Sequence, residues 1–408
     1  MASAQGHVRS LDALRGALAL YVALHHVGYL FSDAWRGLGS VPWLYTKFAA
    51  FGHSAVIAFF LLSGFTMMRS HGEDAFDRAS AGRYAFRRVR RLYGVYLGAL
   101  LATALLSLHR EGAGPALAQF PGNLLMLQAG GGGGWRQPYL GNTPLWSLSF
   151  EAAYYALFPV LLLLGRRLGA PALVAAIAAI GALGWAGASL GDLRDASVAA
   201  LLPAWWAGAW LATPSCAARR WRVPAWLAGY GVGMVPLLSR AIPEGGAADL
   251  LAAVAFLPLF ARLAHARDAS PARAPSPPLL LVLLALHAAA AAFLLAGNRP
   301  STRDAFEAAY LAAPLALAAL APWLEGLARR PAARPVLLGL CGISYGLYAV
   351  HFPVLALARD LATAGRLAPA GTLALAFAGL GVALALAWVL EGPLHRRWAA
   401  WLDRAWPR

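Results

Sequence analysis

Apolar runs of about 17–22 residues, the length that covers the hydrocarbon core of a bilayer, recur along this chain between short polar segments. Candidate spans begin near residues 14, 48, 92, 145, 171, 197, 223, 248, 279, 305, 336 and 371. Segments 223–264 and 305–323 are the weaker ones and also fit re-entrant or merged helices, so ten to twelve spans are expected. A membrane β-strand alternates apolar and polar positions, whereas a run such as VALALAWVL (Val382–Leu390) is apolar throughout. The pattern predicts an all-α protein, a polytopic bundle of transmembrane helices. One integral-membrane domain over residues 1–408 accounts for it, with no appended soluble domain. The first run lacks a small-residue cleavage site and is expected to remain as a helix.

Arginines cluster in segments 69–91, 165–170, 214–222, 324–335 and 392–408, which are alternate loops in this scheme. Cytoplasmic loops carry the excess of basic residues, so both termini are expected in the cytoplasm. Two loops differ from the rest. Segment 69–91 ends in Arg83, Arg87, Arg88, Arg90 and Arg91. Segment 109–144 is long and holds the run Gly130–Gly134, a flexible tether that suits either a lid or a plain linker, the linker being the simpler reading.

Composition agrees with a membrane protein: 60% of residues are hydrophobic, 13% are charged, and mean hydropathy is +0.58. The net charge of +16 does not indicate nucleic-acid binding, because the basic residues sit in short loops between apolar runs rather than on one face. Cys216 and Cys341 stand far apart in the sequence and suggest neither a disulfide framework nor a metal site.

The first span carries two ionisable residues, Arg15 and His26, in LDALRGALALYVALHHVGYLF. Eleven residues turn a helix through three revolutions plus roughly 20°, so both side chains share a face about 16 Å apart along the axis. Ionisable groups inside a membrane helix are costly and mark function by default. His25 lies about 100° around the helix from His26, which suits a supporting role. The alternatives are a snorkelling arginine and a hydrogen-bonded core histidine.

Four further patterns accompany this pair: FFLLSGF (Phe59–Phe65), FRRVRRLYGVY (Phe86–Tyr96), LWSLSFEAAYYALFP (Leu145–Pro159) and GISYGLYAVHFPV (Gly342–Val354), the last followed by LEGPLHRRW. Together and in this order they resemble the membrane acyltransferase family 3, integral-membrane O-acyltransferases that modify sugars and some antibiotics. The resemblance covers nearly the whole chain. It departs at Ile57, where many members have aspartate, and at Gly94, where proline is common.

The resemblance implies acyl transfer from acyl-coenzyme A, most simply acetyl-coenzyme A, to the hydroxyl of a carbohydrate or glycosylated acceptor. It implies no metal and no nucleic acid, and its setting is a bacterial inner membrane, in contact with lipid. An alcohol needs a base to become a nucleophile near neutral pH, and imidazole is the usual one. His26 fits that role, with Arg15 equally necessary and suited to holding the donor. Glu151, the acidic residue of the fourth span, is expected to orient His26 or bind the acceptor, with a structural pairing to an arginine such as Arg15 as the alternative. Arg87, Arg88 and Arg91 are candidates for the coenzyme's phosphates, against a role in topology and lipid attraction. Trp146, Tyr155 and His351 are candidate acceptor contacts. For Tyr154 and Tyr155 an interfacial aromatic belt is the simpler reading, and for His351 core hydrogen bonding. Ser63 and Gly64 read as a helix-packing step. The competing class is a secondary transporter or lipid-linked-sugar flippase, whose paired repeats are not evident; a donor-binding sensor without turnover is a third.

Overall fold

Helix is the only regular secondary structure among the residues that the computed structural model describes, namely 9–39, 52–129, 134–190, 196–217, scattered positions in 249–264, and 333–406. The expected spans near 223, 279 and 305 lie outside them, as do residues 130–133 of the glycine run. In chain order the helices are α1 (Arg9–Leu30), α2 (Ser32–Gly37), α3 (Gly52–His71), α4 (Arg78–Glu111), α5 (Ala113–Leu124), α6 (Trp146–Leu168), α7 (Ala170–Leu190), α8 (Ala196–Ala200), α9 (Leu202–Leu211), α10 (Pro214–Ala217), α11 (Ala333–Gly342), α12 (Ser344–Ala364), α13 (Pro369–Val389) and α14 (His395–Ala405). A π-helical turn, Leu390–Leu394, joins α13 to α14.

Among the described residues, four helices are long and apolar enough to cross a membrane: Arg78–Glu111, Thr143–Leu168, Ala170–Ala188 and Pro369–Ala405. A fifth follows if the broken pair Pro335–Gly342 and Ser344–Ala364 counts as one span. Helix α1 has 22 residues but is not in this set, because Arg15, His25 and His26 dilute its apolar character. Large apolar side chains such as Leu105, Leu183 and Val382 are exposed, as expected of surfaces that meet lipid.

The backbone groups into two units. One contains Met1–Arg15, His53–Ser70 and Pro203–Leu338, and in it α3 packs on α9 without intervening side chains. A Cβ on Gly64 would strike the Trp205 carbonyl, and one on Gly208 the Leu61 carbonyl. The Trp205 indole donates to Ser63 Oγ at 3.1 Å. Ser63 and Gly64 thus form a small-residue step of the kind that lets membrane helices approach closely.

The other unit contains Gly16–Gly52, His71–Leu202 and Gly339–Arg408. Helix α12 packs on α13 and α4, α14 packs on α4, and α6 on α7. Asp77 starts α4 by accepting from Ser80 N at 2.7 Å, a side-chain N-cap. Arg110 near its other end pairs with Asp360 of α12 at 3.0 Å. Gly94 of α4 faces the Trp398 indole of α14 so closely that a Cβ would collide with the ring. The departure from proline at this position therefore accommodates a tryptophan. Glu391, in the π-helical turn, accepts from Gly346 N at 3.0 Å. Gly346 lies in the first turn of α12, where N–H groups lack helical partners and negative charge is favoured.

Among the prolines inside helices of this unit are Pro159 in α6 and Pro353 in α12. Each lacks the N–H that would serve the carbonyl four residues earlier, leaving Tyr155 O and Ala349 O. Both carbonyls are served from elsewhere: Tyr84 Oη donates to Tyr155 O at 2.7 Å, and Asn142 Nδ2 donates to Ala349 O at 2.9 Å. The segment around residue 142 is further fixed by buried amides. Asn123 Oδ1 accepts from Tyr139 N at 3.0 Å and Gln119 Oε1 from Leu140 N at 2.8 Å, while Gln128 Nε2 donates to Leu145 O at 2.9 Å. The described flanks of the glycine run are therefore anchored rather than loose.

These proline sites give a direct test. Tyr84→Phe leaves Tyr155 O without a donor and is expected to cost about 1–3 kcal/mol, read as a lower melting temperature of the detergent-solubilised protein. Adding Pro159→Ala supplies a backbone N–H to the same carbonyl, so the Tyr84→Phe penalty should shrink in that background.

Candidate active site

Helix α1 presents Ala19, Val22, Ala23 and Val27 to the interior, one turn of the 3.6-residue period after another. That packing fixes the rotation of the helix and hence the direction of His26. The His26 ring is held in three ways. Its Nδ1 lies 3.0 Å from Val22 O, one turn earlier, and 3.0 Å from His351 Nε2 of α12. The Phe352 ring packs edge-on against it at 5.1 Å between centroids. His25 meets His26 edge-on at 4.7 Å and stacks on Tyr29 at 6.4 Å. A carbonyl oxygen only accepts, so the contact with Val22 O places a hydrogen on His26 Nδ1. In the neutral ring the lone pair is then on Nε2.

His351 is fully buried and sits where α12 is braced by Asn142. One turn earlier in the sequence motif, Tyr348 Oη donates to Pro144 O at 3.0 Å and lies 2.7 Å from Ser147 Oγ. The fourth and fifth sequence patterns therefore meet at this point, 201 residues apart in the chain.

Arg15 belongs to the other unit. Its guanidinium donates to Thr66 Oγ1 at 2.9 Å, and Thr66 donates in turn to Leu62 O at 2.8 Å. The hydroxyl is a neutral acceptor, so this contact steadies the arginine without cancelling its charge. Nothing in the sequence distinguished Thr66 beyond one hydroxyl in an apolar helix.

Glu151 hydrogen-bonds the Tyr155 hydroxyl one turn on along α6, and the partner on the His26 ring is His351 rather than a carboxylate. The Arg88 guanidinium lies over the Tyr155 ring at 5.5 Å and the Tyr84 ring at 5.8 Å, distances at which a cation is attracted to a ring face. The arginine run of α4 and the glutamate of α6 are thus joined through one tyrosine. Tyr154 is fully buried and donates to Val198 O at 2.8 Å. It is an interior residue, not part of a lipid-facing belt, because its hydroxyl serves a backbone carbonyl inside the unit. Trp146 packs edge-on with Phe150 at 5.0 Å.

The candidate phosphate-binding arginines differ in their surroundings. Arg87 is exposed and stands 3.6 Å from Asp74, Arg88 stands 3.3 Å from His71 Nε2, and Arg91 is exposed. Arg90, between them, is engaged bidentately by Asp403 of α14 at 3.1 and 3.0 Å. Arg166 closes the end of α3 by donating to Asp74 O at 2.8 Å and Gly72 O at 2.9 Å. His71 was not singled out by the sequence, yet its Nδ1 lies 2.8 Å from Asp74 Oδ2. Among the described residues, no group of three His, Cys, Asp or Glu side chains is arranged to hold a metal ion.

This geometry accompanies a match along the chain: a family model described as an acyltransferase domain covers residues 8–392. The chain belongs to acyltransferase family 3. It is a membrane acyltransferase, and the matched segment takes in Arg15, His26, Glu151, the α4 arginines and His351. No curated protein and no solved structure matches it.

His71 ends α3 outside the spanning segments and supplies a pH test. Burial, assisted by Arg88 and Arg87, holds its imidazole below the ordinary range against the pull of Asp74. A histidine lowered in the fold contributes stability that is fully present above its unfolded value of about 6.5 and is lost as pH falls below it. The melting temperature should therefore fall more steeply on acidification in the native protein than in His71→Gln.

Proposed function

We propose that this acyltransferase moves an acyl group, most simply acetyl, from acyl-coenzyme A to a hydroxyl of a sugar, a surface glycan or a glycosylated small molecule. The observation that carries the reading is the His26 ring, whose Nδ1–H is committed to Val22 O while Nε2 keeps its lone pair. That is the state required of a base acting on an alcohol.

In the proposed reaction His26 Nε2 takes the proton of the acceptor hydroxyl as its oxygen attacks the thioester carbonyl carbon. A carbon–oxygen bond forms, the carbon–sulfur bond breaks, and the imidazolium returns the proton to the departing thiolate. Ester and free thiol are the products, with no proton left over. Arg15, steadied by Thr66 without neutralisation, is assigned to holding the donor, and a guanidinium suits developing negative charge on the acyl oxygen. Arg87, Arg88 and Arg91 are assigned to the coenzyme's phosphates, which guanidinium groups bind bidentately. Arg87 and Arg91 are the exposed members. Glu151, Trp146 and Tyr155, all on α6, are assigned to the acceptor. The setting proposed is a bacterial inner membrane, with donor entering from the arginine-rich side.

The test uses the purified full-length protein with acetyl-labelled acetyl-coenzyme A and a panel of polysaccharides and glycosides. Label should appear as ester, and His26→Ala and Arg15→Ala should each lower transfer by at least about 100-fold. Full transfer in both variants overturns the mechanism, and movement of an unmodified glycan across a vesicle membrane supports transport instead. Arg91→Ala should raise KM for acetyl-coenzyme A with kcat unchanged, the signature of lost uniform binding.

A further inference from the structure

His351 has both ring nitrogens occupied. Nδ1 lies 2.9 Å from Leu347 O and Nε2 lies 3.0 Å from His26 Nδ1. Because Leu347 O only accepts, His351 Nδ1 carries the hydrogen and the neutral ring offers a lone pair at Nε2. The same rule at Val22 O puts a hydrogen on His26 Nδ1. The two assignments agree, since the His26 N–H then lies between Val22 O and the lone pair of His351. With one proton on each ring, no other arrangement serves both carbonyls. No ring nitrogen of His351 is left over for an acceptor molecule, which argues against the acceptor contact that the sequence motif suggests.

We propose that His351 is a positioning residue for acyl transfer: its Nε2 lone pair holds His26 in the Nδ1–H tautomer and stabilises the imidazolium formed when His26 Nε2 takes the acceptor's proton. The proposal rests on the reading of His26 as the base. No proton passes to His351; it accepts one hydrogen bond throughout, and that bond strengthens when its donor becomes charged. The arrangement corresponds to the orienting partner of a catalytic histidine, with a neutral ring in place of a carboxylate. The structure also shows why the partner stays put. The ring is fully buried on α12, just before the Pro353 break, where Asn142 holds Ala349 O and Tyr348 is fastened to Pro144 O.

The experiment compares His351→Phe, His351→Gln and His351→Asn with His26→Ala in the full-length protein. Phenylalanine fills the space without an acceptor. Glutamine places an amide oxygen near the former Nε2, and asparagine is too short to do so. In the labelled acetyl-coenzyme A assay, His351→Phe and His351→Asn should lower kcat by about 10–100-fold with KM for the donor unchanged, and His351→Gln should recover most of that loss. Carbethoxylation of His26 by diethyl pyrocarbonate, followed by peptide mass spectrometry, reads the nucleophilicity of Nε2 without any acyl donor. It should slow in the Phe and Asn variants and recover with Gln. Unchanged kcat and labelling in both Phe and Asn variants, or equal loss in Gln and Asn, overturns the proposal. Full activity in His26→Ala instead overturns the base reading, and the labelling comparison still decides whether the two rings are coupled. If His351→Phe does not fold, the Gln–Asn contrast carries the test.

Discussion

A backbone carbonyl that loses its helical donor in an apolar bundle has no water to turn to, and each unsatisfied group there costs several kcal/mol. Pro159 and Pro353 create such carbonyls in the helices that carry Glu151 and His351. The fold answers with Tyr84 on Tyr155 O and Asn142 on Ala349 O. Each answer joins segments that the chain keeps far apart, and so fixes the site as a by-product of satisfying the backbone. Tyr84 brings α4 to α6, which places Arg88 over Tyr155. Asn142 brings the anchored segment before α6 to α12, beside His351. Glu391, satisfying the first turn of α12 from the far end of α13, follows the same logic.

The same constraint governs the charged groups. Arg15 is steadied by a hydroxyl rather than a carboxylate, which keeps its positive charge available. Arg90 is engaged by Asp403, while exposed Arg87 stands near Asp74 and Arg91 is exposed. A run of four guanidiniums within two turns of α4 would repel itself in a medium of low dielectric. Sharing counter-charge with the neighbouring acids Asp74 and Asp403 lets the run persist.

Much of this was legible in sequence because it depends on local spacing. The glutamate and tyrosine of α6 are one turn apart, so their contact follows from position alone. The small-residue step at Ser63 and Gly64 was legible as packing for the same reason. What the sequence could not show was pairing across long separations. His351 meets His26 across 325 residues, and Thr66 meets Arg15 across 51; Thr66 is marked only by a polar atom in an apolar helix, and the motif around His351 pointed to an acceptor contact rather than to His26. The interfacial reading of Tyr154 does not hold because a tyrosine looks the same in sequence whether its hydroxyl meets water or a buried carbonyl. Its partner, Val198 O, belongs to a short helix with no signature of its own.

A neutral imidazole beside the proposed base, where many hydrolases use a carboxylate, also follows from the medium. An ionised carboxylate buried at 0% exposure, the position His351 occupies, would need additional donors to offset desolvation worth several kcal/mol. His351 needs only one, since Nδ1 is served by its own helix at Leu347 O. A neutral acceptor stabilises a neighbouring imidazolium less than a carboxylate does, because the carboxylate adds the attraction of opposite full charges to the hydrogen bond. That loss is tolerable if the reaction asks little of its base. A thioester is already an activated acyl donor, so proton removal need only keep pace with attack rather than drive it. With the thioester donor proposed above, a buried pair of neutral histidines suffices as base and positioning partner.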